Sequence, residues 1–129
     1  MAAVFHQTLA AHWGKASFSF AADGKLVEIS TRPRRPVGTS GKRPRGAPSS
    51  AALSKWLKHF EKGQVDDFPG PWDMPGDSDF RRRVYQAVFE IPAGQKLSYG
   101  EVAAAAGSPR AFRAVGTAMG QNPLPLLIP

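Results

Sequence analysis

The sequence predicts an α+β chain: a small β-hairpin subdomain at residues 1–30, a basic linker at 31–50, and helices from there on. Three observations predict it. Phe18 and Phe20 alternate with small polar residues before the turn dipeptide Asp23-Gly24, the period of a strand followed by a tight reversal. Leu53, Trp56, Leu57 and Phe60 recur at i, i+3, i+4 and i+7, one apolar stripe of a helix. Between them lies a stretch rich in Pro, Gly, Ser and Arg, a composition that punctuates rather than builds elements. At 129 residues with 42% hydrophobic content, the chain suits one domain with a modest core, or one domain and a small appendage.

Taken in order, residues 16–30 form the hairpin, with Leu26-Val27-Glu28-Ile29 as the returning strand. A lone hairpin is marginal in water, so it must pack on something. Residues 31–50 are expected as a mobile linker or long surface loop. Residues 51–78 hold a connecting helix that Gly63 ends, then an acidic Pro/Gly-rich connector from Asp66 onward. At residue 79 a second helical region begins, with Asp77-Ser78-Asp79 as N-cap candidates that also place negative charge at a helix start. Its buried stripe is Phe80, Val84, Ala87 and Val88, and Ile91-Pro92-Ala93-Gly94 stops it.

The strongest local signal follows. Ser98 and Glu101 fit a capping box, each side chain satisfying a free amide near the other. Val102 to Ala106 continue that helix and Gly107 ends it. Ser108 then caps again, with Pro109 at the first helical position. In this last helix Phe112, Val115 and Met119 form the inward stripe, while Arg110, Arg113 and Thr117 share the other side with Ala114 close by; Gly120 is the stop. Two short helices joined so tightly, the second exposing arginines, make a helix-turn-helix pattern. The small residues Ala111, Ala114 and Gly116 let a helix backbone approach either a duplex or a neighbouring helix closely.

Charge is unevenly spread. The net charge is +7, with none in residues 1–30. Arg32, Arg34, Arg35, Lys42, Arg43 and Arg45 give +6 in residues 31–50; residues 51–79 sum to −3 and residues 80–129 to +4. Such a basic excess favours polyanions, nucleic acid foremost; for residues 31–50 the alternative of a merely solubilising run stays open. The chain holds no cysteine, which excludes a disulfide framework, a thiolate zinc site and a thiol nucleophile within it. His6, His12 and His59 are scattered with no acids at ligand spacing, so no metal and no cofactor is expected, and no serine–histidine–acid triad is evident. No apolar run approaches the ~18 residues of a membrane span, and Met1-Ala-Ala-Val-Phe-His-Gln7 lacks the features of a signal peptide. The expectation is a cytoplasmic protein with no membrane partner. Trp13, Trp56 and Trp72 are expected in the core or at a subdomain contact.

From about residue 50 onward the chain resembles the O6-alkylguanine-DNA alkyltransferases, the methylated-DNA–protein-cysteine methyltransferases of bacterial type. The resemblance rests on Asp73-Met-Pro-Gly76, Asp79-Phe-Arg-Arg-Arg-Val-Tyr-Gln-Ala-Val88, Ile91-Pro-Ala-Gly94, Ser98-Tyr99, Arg113-Ala-Val-Gly116 and Asn122-Pro123. They occur in the family's order and spacing, specific together and weak singly. Residues 1–30 look only loosely like the family's N-terminal subdomain. The resemblance implies a winged-helix-like helix-turn-helix within a DNA-binding domain at residues 79–129. It implies that a monomer grips double-stranded DNA from the minor groove and flips out alkylated guanine, a step that costs ~a few kcal/mol.

Residue by residue, the resemblance implies that Tyr99 presses on a backbone phosphate and that Arg113 fills the space left by the extruded base. Arg110, Ala111, Ala114, Gly116 and Thr117 would line the DNA-facing surface. Asn122 would be the hinge before the active-site loop, and Pro125 part of the guanine pocket. For each a plainer reading stands beside it: Tyr99 as a ring capping the core, Arg113 as a surface arginine, Asn122 as an ordinary helix end. In the family an Ile-Pro like Ile128-Pro129 is followed by the acceptor cysteine in a Pro-Cys-His-Arg motif. That cysteine would follow Pro129, so no residue of this chain is a catalytic candidate. Phe112 departs from the small residue expected at its position, and Tyr85 stands where tryptophan is frequent. Leu124, Leu126, Leu127 and Ile128 are expected to lie uncovered and so to weaken the fold. The expected function is DNA repair by direct reversal in a complete protein, and DNA binding alone for these residues. Alternatives are a non-catalytic alkyltransferase-like protein or a plain helix-turn-helix DNA-binding protein.

Overall fold

The computed structural model describes residues 2–64, 66–92 and 94–128. Four strands and four helices follow in order: β1 (Ala3–Ala11), β2 (Gly14–Ala21), β3 (Leu26–Ser30), β4 (Gly38–Ser40), α1 (Ser50–Glu61), α2 (Asp79–Phe89), α3 (Tyr99–Ala105) and α4 (Phe112–Gly120). The α+β class is as the sequence predicts. The chain forms two compact units, Met1–Asp73 and Met74–Pro129.

In the first unit the predicted hairpin exists as β2 and β3, turned by Asp23-Gly24 with Gly24 at φ +88°. It belongs to a larger antiparallel sheet of order β3-β2-β1-β4. β1 pairs with β2 along nearly its whole length, Phe5 opposite Phe20 and Thr8 opposite Ser17, through a two-residue loop at His12-Trp13. Periodicity misses β1 because Gln7 and Thr8 are buried though polar. Their side chains stay satisfied: Thr8 Oγ1 donates to Ser17 Oγ at 3.1 Å and Gln7 Nε2 to the Gly38 carbonyl at 3.4 Å. That second bond lies beside β4, which falls within the stretch expected as a linker. Residues 31–50 are therefore not structureless: β4 pairs with β1, and Ala47 and Pro48 are buried.

Leu53, Trp56 and Leu57 of α1 are buried as predicted, whereas Phe60 is 37% exposed, its ring stacked on Trp56. Trp56, Phe18 and Phe68 form an aromatic cluster with centroids 5.4–6.1 Å apart, a spacing at which ring edges and faces attract. Phe68 brings the acidic connector into the core. Further on, the Pro71 carbonyl accepts from Leu26 N–H at 2.9 Å and Asp73 pairs with Lys25, so the connector covers the free edge of β3. Trp13, expected in the core or at a subdomain contact, is 38% exposed beside His12 and so is not a core residue.

In the second unit α2 starts at Ser78, whose side chain accepts from Arg81 N–H. Its buried residues are Val84, Tyr85 and Val88. Tyr85 takes a core place that the stripe assigned to Phe80, and Phe80 is only half-buried. The tyrosine hydroxyl donates to the Ala118 carbonyl at 2.6 Å, which also accepts from the Gln121 N–H at 3.2 Å where α4 ends. Burial pushes the Tyr85 pKa up. Ala93, part of the predicted stop of α2, lies outside the described residues. No helix among the described residues is long and apolar enough to cross a membrane.

Candidate nucleic-acid interface

The helix pair α3–α4 is built by local bonds. Ser98 Oγ accepts from Glu101 N–H at 3.1 Å, and Glu101 Oε1 accepts from Ser98 N–H at 3.1 Å, the complete capping box. The Ser98 backbone N–H first, and the Ser98 side chain second, hold the Glu101 carboxyl below its ordinary value. α3 ends on Gly107 at φ +85°, with Gly107 N–H on Ala104 O and Ser108 N–H on Ala103 O. This paired reversal is a Schellman motif, and it needs a left-handed residue. Arg83 Nε reaches from α2 to the Ala106 carbonyl at 2.9 Å, adding a cation where the α3 dipole is negative.

The start of α4 differs from prediction. Ser108 does not cap it: Ser108 to Ala111 form a turn closed by Ala111 N–H on the Ser108 carbonyl at 2.9 Å. Proline at the second place of such a turn has the same fixed φ that suits the first residue of a helix, so the residue alone did not discriminate. The cap position is Ala111, with no side-chain bond to the first turn. α4 then buries Val115 and Ala118, both 0% exposed, and leaves Phe112 51% exposed. Phe112 is thus corrected from inward to outward, and Ala118 takes its place against the core.

The exposed face of α4 gathers most of the predicted site. Arg113, Ala114 and Thr117 are exposed, Ala111 and Gly116 half-buried, and Arg110 stands exposed in the preceding turn. Thr117 Oγ1 donates to the Arg113 carbonyl at 3.2 Å. Tyr99, 53% exposed, lays its ring over Gly116: a methyl group there would stand 3.2 Å from Tyr99 Cε2. Hence two residues 17 positions apart in sequence form one surface. Neither Arg110 nor Arg113 has a side-chain hydrogen bond or ion pair among the described residues. By contrast Arg81 pairs with Asp77, Arg82 bonds Asp79 and the Gly76 carbonyl, and Arg83 bonds Ala106. The Arg81–Arg83 run is thus tied within its own unit.

Asn122 and Pro125 lie in the segment after α4. Asn122 Oδ1 accepts from Leu124 N–H at 2.9 Å and its Nδ2 donates to the Ile128 carbonyl at 2.6 Å. Leu124 and Ile128 are 1% and 0% exposed, so the expected loss of burial falls only on Leu126 and Leu127, both half-buried. Pro125 is half-buried too. Pro129 lies outside the described residues. Two of the three histidines do have acid partners, which sequence spacing hid: His12 pairs with Glu61 at 3.5 Å, and His59 with Asp66. Each is a two-residue contact, and no group of three or more metal-ligating side chains occurs among the described residues.

Residues 79–129 match the family model described as 6-O-methylguanine DNA methyltransferase, DNA binding domain. The methylated-DNA–protein-cysteine methyltransferase of Mycobacterium bovis is 41% identical over 73 residues, covering 57% of this chain and 44% of its own. The constitutive enzyme of Bacillus subtilis is 39% identical over 82 residues, covering 64% and 49%. The matched segment thus spans about half the length of these curated relatives. Among solved structures, the Mycobacterium tuberculosis O6-methylguanine methyltransferase superposes with a TM-score of 0.74 at 28% identity, covering 96% of this chain and 74% of that one. A crystal structure of that organism's OGT in complex with DNA gives 0.73. The structural match includes the sheet that the sequence resemblance reached only loosely. Residues 79–129 thus match the DNA-binding domain of the O6-methylguanine DNA methyltransferases, and the chain as a whole is similar in fold to solved members of that family.

Proposed function

We propose that residues 79–129 bind double-stranded DNA through the exposed face of α4, approaching the minor groove as a monomer. Arg113 occupies the space of an extruded guanine, Tyr99 presses on a backbone phosphate, and Arg110, Ala111, Ala114, Gly116 and Thr117 line the contact. The observation that carries this reading is the pair of unengaged guanidiniums, Arg110 and Arg113, beside the Tyr99 ring seated on Gly116. A cation without an internal partner can be committed to a phosphate or a base without breaking the fold. A planar guanidinium can also stack and hydrogen-bond where a base has left. Asn122 and Pro125 shape the segment that faces the flipped base. The sheet unit accompanies this domain in the same chain, and the protein works in the cytoplasm of a bacterial-type cell.

The family's chemistry is displacement at the alkyl carbon by a thiolate. Sulfur forms the new bond, the carbon–O6 bond breaks, and the guanine takes the electron pair and a proton. With no cysteine among the 129 residues, this chain binds and does not transfer. The test measures binding to one duplex with and without O6-methylguanine, alongside a labelled-methyl transfer assay. Tighter binding to the alkylated duplex with no label on the protein supports the reading. Equal affinity for duplex and an unrelated polyanion, or stoichiometric labelling, overturns it.

A further inference from the structure

We infer that Phe112 is an apolar wedge that enters the base stack beside Arg113 when the chain grips a duplex. The inference rests on the DNA-binding reading above and adds a positioning residue to it. Phe112 opens α4 with half its surface in water, and its ring contacts no other ring among the described residues. The core has no place for it, since Val115 and Ala118 fill the inward side of the helix. Folding supplies no reason for a phenyl group here, where alanine has the better helix propensity.

Its surroundings supply one. Gly116 lies four residues on, so it shares the side of the helix on which Phe112 stands, and the Tyr99 ring sits over Gly116. The half-exposed Tyr99 ring thus covers Gly116, and the half-exposed Phe112 stands one turn before that glycine. Arg110 and Arg113, without partners among the described residues, bracket Phe112 in sequence. A second copy of this chain is a poor occupant, because a self-paired face would set these arginines against each other. An opened base step fits both parts, with phosphates outside for the guanidiniums and apolar base faces inside for the ring. Proteins in the minor groove insert phenylalanine or leucine between base steps in this manner, partly unstacking them. With one step already parted by Phe112, Arg113 enters at a lower unstacking cost.

The experiment uses the full chain and a duplex carrying 2-aminopurine beside a mismatch. Binding of the unsubstituted chain should raise the 2-aminopurine fluorescence as the step opens. Phe112→Ala should weaken binding about tenfold and lose that rise. Phe112→Leu, still an apolar wedge, should keep both within about threefold. Because no cation is removed, the dependence of Kd on salt should keep its slope in both variants. Far-UV circular dichroism checks that α4 persists. If the unsubstituted chain binds and Phe112→Ala matches it in affinity and fluorescence, the wedge is overturned while DNA binding stands. Should the unsubstituted chain fail to bind duplex at all, the functional reading falls and the wedge with it.

Discussion

Arginines at the two ends of one helical unit meet opposite fates. At the start of α2, Arg81, Arg82 and Arg83 each find an oxygen within their own unit: Asp77, Asp79 with the Gly76 carbonyl, and the Ala106 carbonyl. Around the start of α4, Arg110 and Arg113 find none among the described residues. Both groups look alike in sequence, and the triple run is the more conspicuous. Clustering of positive charge is therefore a poor guide to which guanidiniums the fold leaves without an internal partner among the described residues. What discriminates is whether nearby acids and helix-end carbonyls already hold each guanidinium. The connector contributes Asp77, and α3 contributes a C-terminal carbonyl; the turn before α4 offers neither.

The largest expected effect tests the unengaged side. Arg113→Ala should cut discrimination for a lesion-bearing or mispaired duplex on the order of thirtyfold, as truncation of a central contact does, and leave thermal stability unchanged. An equal loss on every duplex would make Arg113 a phosphate contact instead. On the engaged side, Arg83→Ala should lower stability by about 1 kcal/mol through the lost bond to Ala106 and leave DNA affinity where it was. A measured drop in affinity without a drop in melting temperature would make Arg83 a DNA contact like Arg113.

A smaller effect belongs to Gly116→Ala. Removing a helical glycine favours the helix by roughly 0.5–1 kcal/mol, and the Tyr99 ring, being at the surface, can yield the few tenths of an ångström needed. Stability should therefore rise slightly while DNA affinity falls, since the ring leaves its seat. The reverse pattern would show that Tyr99 has a structural role only. The smallest effect is in pH. Glu101 titrates below its ordinary value because of its bonds to Ser98. The resulting stability is full above the unfolded-state value and disappears as pH falls through the lower folded one. Acid titration of Glu101→Gln, which removes the titrating group, should lack this component, and an unchanged acid limb would refute it.

Much of the second unit was legible because its signals are local. Ser78, the Ser98–Glu101 box and Gly107 act over three or four residues, and each lies where its chemistry predicts. The start of α4 was not, since a fixed proline φ serves a turn as well as a helix start. The inward stripe was extended to Phe112 for the same reason: a helix begun at Ser108 would carry that ring in mid-helix rather than in its first turn. In the first unit β1 was hidden by buried polar side chains whose partners, Ser17 and Gly38, are distant in sequence. The docking of Phe68 and Pro71 was hidden by a composition that reads as a loop. Of the candidate site, residue types and spacing were readable, but the seating of Tyr99 on Gly116 and the freedom of Arg113 are tertiary facts.

The amide of Asn122 also bears on how this protein ages. Spontaneous conversion of asparagine to aspartate proceeds when the next residue's backbone nitrogen attacks the side-chain carbonyl. That nitrogen belongs to Pro123, which has no hydrogen to lose. Aspartate at 122 would set a negative oxygen against the Ile128 carbonyl, which now accepts from Nδ2. The proline thus shields the loop from a slow chemical change that would undo its fastening.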